Sequence, residues 1–334
     1  MKTVRWTNRS LGSRSRPFLF AGVAVALVLT GVSPAIAAKK TDGGGTPAVR
    51  YDVSPPLRDL APAPAPAPDK KKEKEPKKGL PVPSSSAHDP VIQSTPGTGS
   101  APALGAGFEG IGGGLPGPTT GMYAPPDPNG AVGPTQYAEV VNTDFAVFDK
   151  SGNVVYGPVA TNTVWSGFGG GCQVNNDGDA TIKYDQLAGR WVLQQFSVTS
   201  PYPYAECIAV STTSDATGSW ARYEFQGFGN YFPDYPKLSV WPDAYYVTYN
   251  LFLNGMSFSG PVVCAYDRAK MLAAQPATAQ CKKLSSSYGG LLASDVDGTT
   301  SPPGAPRTQS SASGRTVFSC GDSTWTGRPR PTRH

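Results

Sequence analysis

Three stretches of this chain repeat one pattern: an aspartate, a short strand-type run, a turn, and a second strand-type run that opens with an aromatic residue. The stretches begin at Asp127, Asp179 and Asp234, which lie 52 and 55 residues apart. Repeats of this length with several strands each are typical of β-propellers, in which each repeat forms one blade. A β-sandwich also contains such strands, but it gives no reason for the unit to recur. The repeat therefore predicts an all-β, propeller-like fold of three to four blades, with a β-sandwich as the alternative.

The surrounding sequence supports a β-rich domain over residues 108–306. Runs of four to six residues rich in β-branched and aromatic side chains alternate there with clusters of Gly, Pro, Asn and Asp, which is the pattern of strands joined by tight turns. The chain contains 39 glycines and 34 prolines, a composition that favours a loop-rich β protein over a helical bundle. The one helical stretch that we predict runs from Asp267 to Ala274.

Residues 1–37 have the three parts of a secretory signal peptide. Five basic residues without an acid precede an apolar run from Phe18 to Leu29, and Ala35-Ile36-Ala37 forms a small-x-small cleavage site. The apolar run is shorter than the roughly 20 residues that a membrane span needs. We therefore predict a secreted, extracellular bacterial protein without a membrane span after cleavage, with a periplasmic or cell-surface location as the alternative.

Residues 38–107 are predicted to be a disordered linker. Alanine and proline alternate over 61–68, six lysines follow within 69–78, and the rest is rich in Pro, Ser and Gly. Such a segment has too little apolar material to offset the entropy of ordering. The lysines could contact an anionic cell envelope, and the alternative is a solvated spacer.

The five cysteines all follow the linker, as expected for a disulfide-bonded exported domain. Pairing of nearest neighbours would join Cys172 to Cys207 and Cys264 to Cys281 and leave Cys320 over, although sequence alone does not fix the pairing. A metal site is less favoured because no two cysteines show the close spacing of zinc ligands.

Several phrases of the domain resemble a family of uncharacterised secreted bacterial propeller-like proteins. They include the segment 127–134, the segment 141–152 and the segment 235–246, and the likeness covers about Met122 to Pro306. The resemblance implies a propeller-like fold and an extracellular setting, and it carries no catalytic residue. The segment Ser211–Trp220 is also similar to the Asp-box turn of sialidase-type propellers, with one residue more between Asp215 and Gly218.

Residues 307–334 depart from that family and are predicted to be an irregular basic tail. They contain five arginines and almost no apolar run, where the family would continue with strands. A premature end or a reading-frame shift in the gene would explain this tail, and a natural basic tail is the alternative. A propeller that stops here would expose strand edges on its last blade.

Charge and histidine content exclude several function classes. Residues 108–306 carry nine basic and 16 acidic side chains, a net charge of −7, which argues against nucleic acid as a partner. The only histidines are His88 and His334, so histidine-assisted hydrolases and zinc sites with histidine ligands are not expected in the domain.

The candidate binding residues are aromatic side chains in loops rich in Pro and Gly, where exposed rings can stack on sugars. The alternative is that these rings pack as plugs over one face of the domain. They are Trp165, Phe168, Tyr202, Tyr204, Tyr231 and Tyr235. No cofactor is predicted, although Asn175, Asp177 and Asp179 could supply oxygen ligands to calcium in place of a plain turn.

The predicted function is that of an extracellular binding or structural module, with a glycan or the cell-envelope surface as its partner. The alternative is a carboxylate-dependent glycan hydrolase, either a glycosidase or a sialidase-like enzyme, because glycosidases need two acids close together. The recurring aspartates are interpreted as turn formers, and the catalytic residues of such an enzyme stay unknown.

Overall fold

The computed structural model describes residues 45–64, 95, 97, 105–198 and 203–301, and the backbone of 309–311 and 317–319. The chain divides into two compact units, Met1–Pro34 and Ala35–His334. The first unit, and with it the predicted signal peptide over 1–37, lies outside the described residues.

The described part of the second unit is nearly all β. In chain order, the strands are β1 (Thr46–Pro47), β2 (Arg50–Val53), β3 (Pro128–Val132), β4 (Gln136–Val141), β5 (Asp144–Asp149), β6 (Val154–Ala160), β7 (Thr181–Asp185), β8 (Arg190–Val198), β9 (Tyr204–Ser211), β10 (Trp220–Gln226), β11 (Tyr231–Val240), β12 (Tyr245–Leu253), β13 (Ser257–Tyr266), β14 (Thr278–Lys283), β15 (Leu292–Ala293), β16 (Gln309–Ser311) and β17 (Val317–Ser319). The helices are α1 (Gly170–Val174), α2 (Arg268–Leu272) and the 3-10 turns Leu57–Asp59 and Thr161–Trp165. Helix α2 lies inside the stretch predicted to be helical, and the Asp267 side chain caps it by accepting from the Lys270 backbone N–H at 3.1 Å.

The strands form four separate antiparallel sheets, none of which closes into a barrel. Sheet 1 has the order β3-β4-β5-β6, sheet 2 has β2-β10-β9-β8-β7, sheet 3 has β1-β14-β13-β12-β11, and sheet 4 has β15-β16-β17. Apart from β1 and β2, each sheet is a meander of consecutive strands. This topology differs from the alternative β-sandwich, in which two sheets hold all the strands.

Each repeat of the sequence forms the first hairpin of a different sheet. The aromatic residue that opens the second strand occupies one register throughout: Tyr137 pairs with Val132, Trp191 with Tyr184, and Tyr245 with Val240. The recurrence in the sequence therefore corresponds to one hairpin in each of sheets 1, 2 and 3.

The start of the third unit is shifted by one residue from its sequence-based alignment. Positive φ angles occur at Asp127 (41°), Asp179 (50°) and Tyr235 (55°), so Tyr235, and not Asp234, is the equivalent position. The reason is an irregularity in β11, where the register with β12 changes between Asp234 and Lys237.

Apolar side chains fill the spaces between successive sheets. Because neighbours along a strand point to opposite faces, Trp191 and Leu193 join the cluster shared with sheet 1, whereas Val192 packs into the cluster shared with sheet 3. The first strands also contact one another in order, β3 with β7, β7 with β11 and β11 with β15. This order brings the starts of the three repeats to one place.

A recurring contact joins sheet 2 to a turn of sheet 1, and sheet 3 to a turn of sheet 2. The Trp191 ring lies so close to Gly133 that a Cβ there would be 2.5 Å from its Cζ2. In sheet 3, the Tyr245 hydroxyl donates to Asp185 Oδ2 at 2.9 Å, and Arg268 binds both oxygens of the same carboxylate at 2.7 and 3.0 Å. Gly133 and Asp185 occupy equivalent positions, since each directly follows the residue that pairs with the aromatic of its own hairpin.

The prediction of a disordered linker over 38–107 is wrong for residues 45–60. Strand β1 pairs with β14, β2 pairs with β10, and the Leu57 side chain is fully buried. A composition averaged over about 70 residues hides this short stretch, which has enough apolar side chains to pack. An ion pair holds it in place, because Arg222, which is only 2% exposed, binds both carboxylate oxygens of Asp52 at 2.8 and 2.7 Å.

The two expected disulfides are present: one joins α1 to β9 of sheet 2, and the other lies within sheet 3. Cys172 is bonded to Cys207, and Cys264 is bonded to Cys281 across β13 and β14. Cys320 lies outside the described residues. Within the predicted irregular tail, 307–334, the structure places the short strands β16 and β17. Among the described residues, no helix has the length and apolar character to cross a bilayer.

Candidate functional site

The starts of the three repeats line one depression with a volume of about 230 Å³. Its wall consists of three equivalent tripeptides: Asp127-Pro128-Asn129 before and in β3, Asp179-Ala180-Thr181 before and in β7, and Tyr235-Pro236-Lys237 in β11. The contacts between these first strands bring residues together that are more than 100 positions apart in the chain. We take this depression as the candidate site, because concave sites with converging polar groups are where ligands bind.

Two polar side chains of the depression are fixed by hydrogen bonds. Asn129 Oδ1 accepts from the Ile182 backbone N–H at 2.6 Å and so ties β3 to β7. Thr181 Oγ1 accepts from the Gln194 side-chain amide. These bonds hold the wall in one geometry, while Asp127 and Asp179 bring two carboxylates to the same depression.

Tyr235 provides an aromatic surface at the rim. Its side chain is 53% exposed, and the Lys237 Nζ lies 3.5 Å from the ring centroid, within cation–π range. A positive φ is tolerated by Asp but is a genuine outlier for a bulky side chain, with a cost of roughly 1–3 kcal/mol. Strained residues of this kind cluster at functional sites, and Tyr235 is the one member of the three equivalent positions that is not an aspartate.

The structure does not bring the predicted aromatic residues together. Trp165, Phe168 and Tyr204 are buried, so that they offer no ring face to a sugar and act as packing residues. Tyr231 is half-buried, with the Lys283 Nζ 4.2 Å from its ring centroid. Tyr202 lies outside the described residues, which leaves Tyr235 as the predicted ring that lines the depression.

The residues considered for calcium have separate roles. Asn175 donates to Ser197 Oγ at 2.9 Å, and Asp177 Oδ2 accepts from the Val198 backbone N–H at 2.6 Å, so both tie the loop to the end of β8. Asp179 is the one that lines the depression. The described residues contain no group of three or more His, Cys, Asp or Glu side chains suited to a metal.

The segment similar to an Asp-box forms the hairpin turn between β9 and β10. Asp215 Oδ1 accepts from the backbone and the hydroxyl of Thr217 at 2.9 and 2.8 Å, and the Gly218 N–H donates to the Asp215 carbonyl at 3.1 Å. Trp220, which is fully buried, donates its indole N–H to the Ala216 carbonyl at 3.0 Å. Its contacts are therefore those of a structural turn.

Sequence reasoning missed one titratable group in the core, Glu206. The side chain is fully buried on β9, and burial raises its pKa well above the ordinary value. It faces sheet 3, where the hydroxyls of Tyr249 and Tyr266 lie 2.8 Å apart. The pattern of β9 could have identified it, because Glu206 lies on a face of this strand that is otherwise apolar.

No protein-family model matches the chain, and no curated protein matches its sequence.

Proposed function

We propose that this chain is an extracellular binding module of propeller type, and that its ligand site is the depression lined by the three repeat starts. The observation that carries the proposal is the convergence of three equivalent tripeptides, from three sheets, on one concave site. In a propeller, each meander is a blade and the first strands surround the axis, which accounts for the ordered contacts between β3, β7 and β11.

The lining of the depression favours a glycan as the ligand. Sugars are bound through hydrogen bonds to their hydroxyls and through stacking of their apolar face on an aromatic ring. The carboxylates of Asp127 and Asp179 and the ammonium of Lys237 supply the first kind of group, and the exposed Tyr235 ring supplies the second. Tyr235 and Lys237 project from β11, whereas Asp127 and Asp179 lie one and two residues before β3 and β7, so the site is held close to the rigid sheets.

An extracellular location is supported by the two disulfides, since such bonds persist in oxidising compartments. The predicted leader and the resemblance to secreted propeller-like proteins point the same way. Together they support a location in which the depression would meet envelope or environmental glycans.

A glycan array followed by calorimetry on the best ligand tests the proposal. Tyr235→Ala should weaken binding by about tenfold or more, equivalent to at least about 1.4 kcal/mol, because it removes the stacking surface. Tyr231→Ala is the matched control, since that ring also lies under a lysine but outside the depression. An array without a ligand, or equal losses in both variants, would contradict the proposal.

A second candidate function, glycan hydrolysis, is favoured by one observation: Asp127 and Asp179 line the same depression. Glycosidases act through two carboxyl groups on either side of the scissile bond. Release of reducing ends from the bound glycan, abolished by Asp127→Asn or Asp179→Asn, would establish hydrolysis and replace the non-catalytic role. Binding without product release would support the module.

A further inference from the structure

The charged side chains that line the depression are two carboxylates and one ammonium group. Asp127 and Asp179 supply the carboxylates, and Lys237 supplies the ammonium group. Two negative charges and one positive charge give the lining a formal net charge of −1. A ligand that complements this lining therefore carries a positive charge.

The positive and the negative charges lie on different walls of the depression. The Lys237 Nζ lies 3.5 Å from the centroid of the Tyr235 ring, so the cation is held on a ring of its own strand in sheet 3. The carboxylates precede β3 of sheet 1 and β7 of sheet 2, and these two strands are joined by the hydrogen bond from the Ile182 N–H to Asn129 Oδ1. We call the wall formed by the starts of β3 and β7 the negative wall.

The neutral polar side chains of the negative wall accept hydrogen bonds from the protein itself. Asn129 Oδ1 accepts from Ile182, and Thr181 Oγ1 accepts from the Gln194 side-chain amide. A carboxylate only accepts hydrogen bonds, whereas an ammonium group only donates them, through three N–H groups. Hydrogen bonds between ionised partners are roughly twice as strong as those between neutral groups. An ammonium group therefore complements the negative wall better than a hydroxyl or an acetamido group does.

We infer that the glycan bound in the depression is an amino sugar with a free amine, whose ammonium group binds the carboxylates of Asp127 and Asp179. The inference rests on the proposed function, because it names the ligand class of the same site. The Tyr235 side chain, which is 53% exposed, provides the surface on which the apolar face of the sugar stacks. An N-acetylated glycan lacks the positive charge, and an acidic glycan brings a charge of the wrong sign.

Calorimetry with two matched oligosaccharides tests the inference on the full chain. The probes are a glucosamine oligomer with free amines and its N-acetylated counterpart of the same length and linkage. The glucosamine oligomer should bind about tenfold or more tightly than the acetylated one, because only its amines form charge-assisted hydrogen bonds. Its affinity should also fall as salt is added, since salt screens exposed charges.

A pair of aspartate variants separates the depression from the overall charge of the protein. Asp179→Asn should weaken binding of the glucosamine oligomer by about tenfold or more, because the amide carries no charge. Asp234→Asn is the matched control: it removes the same charge from a residue of β11 that does not line the depression. This control should weaken binding much less, and circular dichroism checks that both variants fold.

Four results would overturn the inference. They are equal or tighter binding of the acetylated oligomer, no binding of either oligomer, equal losses in Asp179→Asn and Asp234→Asn, and equal binding of a lysine oligomer, which would indicate a peptide ligand. The proposed function fails separately, through an array without a ligand or through a Tyr235→Ala variant that behaves like Tyr231→Ala. An acetylated glycan whose binding depends on Tyr235 would therefore refute the free amine and keep the glycan site.

Discussion

Replacement of Glu206 by glutamine should make the stability of this protein less dependent on pH. The Glu206 side chain is 0% exposed, and burial raises its pKa well above the ordinary 4.5. The nearby Tyr249 hydroxyl offsets this effect only in part, and no ion pair to Glu206 forms among the described residues. The folded protein therefore keeps the Glu206 carboxyl protonated to a higher pH than the unfolded chain does.

The sign of the effect follows from proton counting. Above pH 4.5 the unfolded chain releases the proton of Glu206 while the folded chain retains it, so the free energy of unfolding falls as pH rises toward the folded-state pKa. The slope is about 1.4 kcal/mol for each pH unit. Between about pH 5 and about pH 7, this one group should lower the stability of the wild type by up to about 2.7 kcal/mol relative to E206Q.

Urea unfolding followed by tryptophan fluorescence at several pH values measures the difference. Other groups titrate equally in both proteins, so the wild type minus E206Q isolates the contribution of Glu206. Glu109→Gln, on an exposed side chain, reports how much of any slope a change from Glu to Gln causes by itself. A difference between wild type and E206Q that is flat from pH 5 to pH 7 would refute the reasoning, because it would mean that Glu206 is ionised in the folded state.

Two further predictions concern how the sheets are held. Asp52→Ala should destabilise the fold by about 3–5 kcal/mol because it leaves the buried Arg222 guanidinium without its carboxylate. Urea unfolding measures this loss of stability. A loss below about 1 kcal/mol, which is the contribution of an exposed ion pair, would show that β2 is held by other contacts. Replacement of Cys264 and Cys281 by serine should cost about 3 kcal/mol, the chain-entropy value for a loop of this length, and calorimetry that shows an unchanged melting temperature would contradict it.

The parts of the fold that the sequence predicts are those in which one side chain has one local role. An aromatic residue at the start of a second strand has to pack on a neighbouring turn, and this requirement recurs visibly at Trp191 and Tyr245. The disulfide between Cys264 and Cys281 agrees with nearest-neighbour pairing because these two residues lie in adjacent strands close in sequence.

The features that the sequence did not reveal depend on contacts between distant segments. Asp52 and Arg222 are 170 positions apart, so nothing in the local composition of the N-terminal segment signals that it adds a strand to sheet 2. Trp165 and Phe168 lie among glycines in a stretch typical of an exposed loop, and their rings are buried because that loop packs into the cluster between sheets 1 and 2. The position of Tyr235 was identified for its ring, but its equivalence to Asp179 needs the φ angles.

Each repeat contributes to the depression at one end of its first strand and to the contact with the next sheet at the other end. The residue with the positive φ lines the depression, whereas the turn that contacts the next sheet follows after about five strand residues, about 17 Å away. Packing constrains the far end, as the contact of Gly133 with Trp191 shows, but the near end has only a positive φ in common and carries Asp in two sheets and Tyr in the third. Variation at the near end should therefore leave the packing of the sheets intact, so Tyr235→Ala should keep the melting temperature within a few degrees of wild type even where it abolishes the proposed glycan binding. A large fall in melting temperature would show that the ring is a packing element after all.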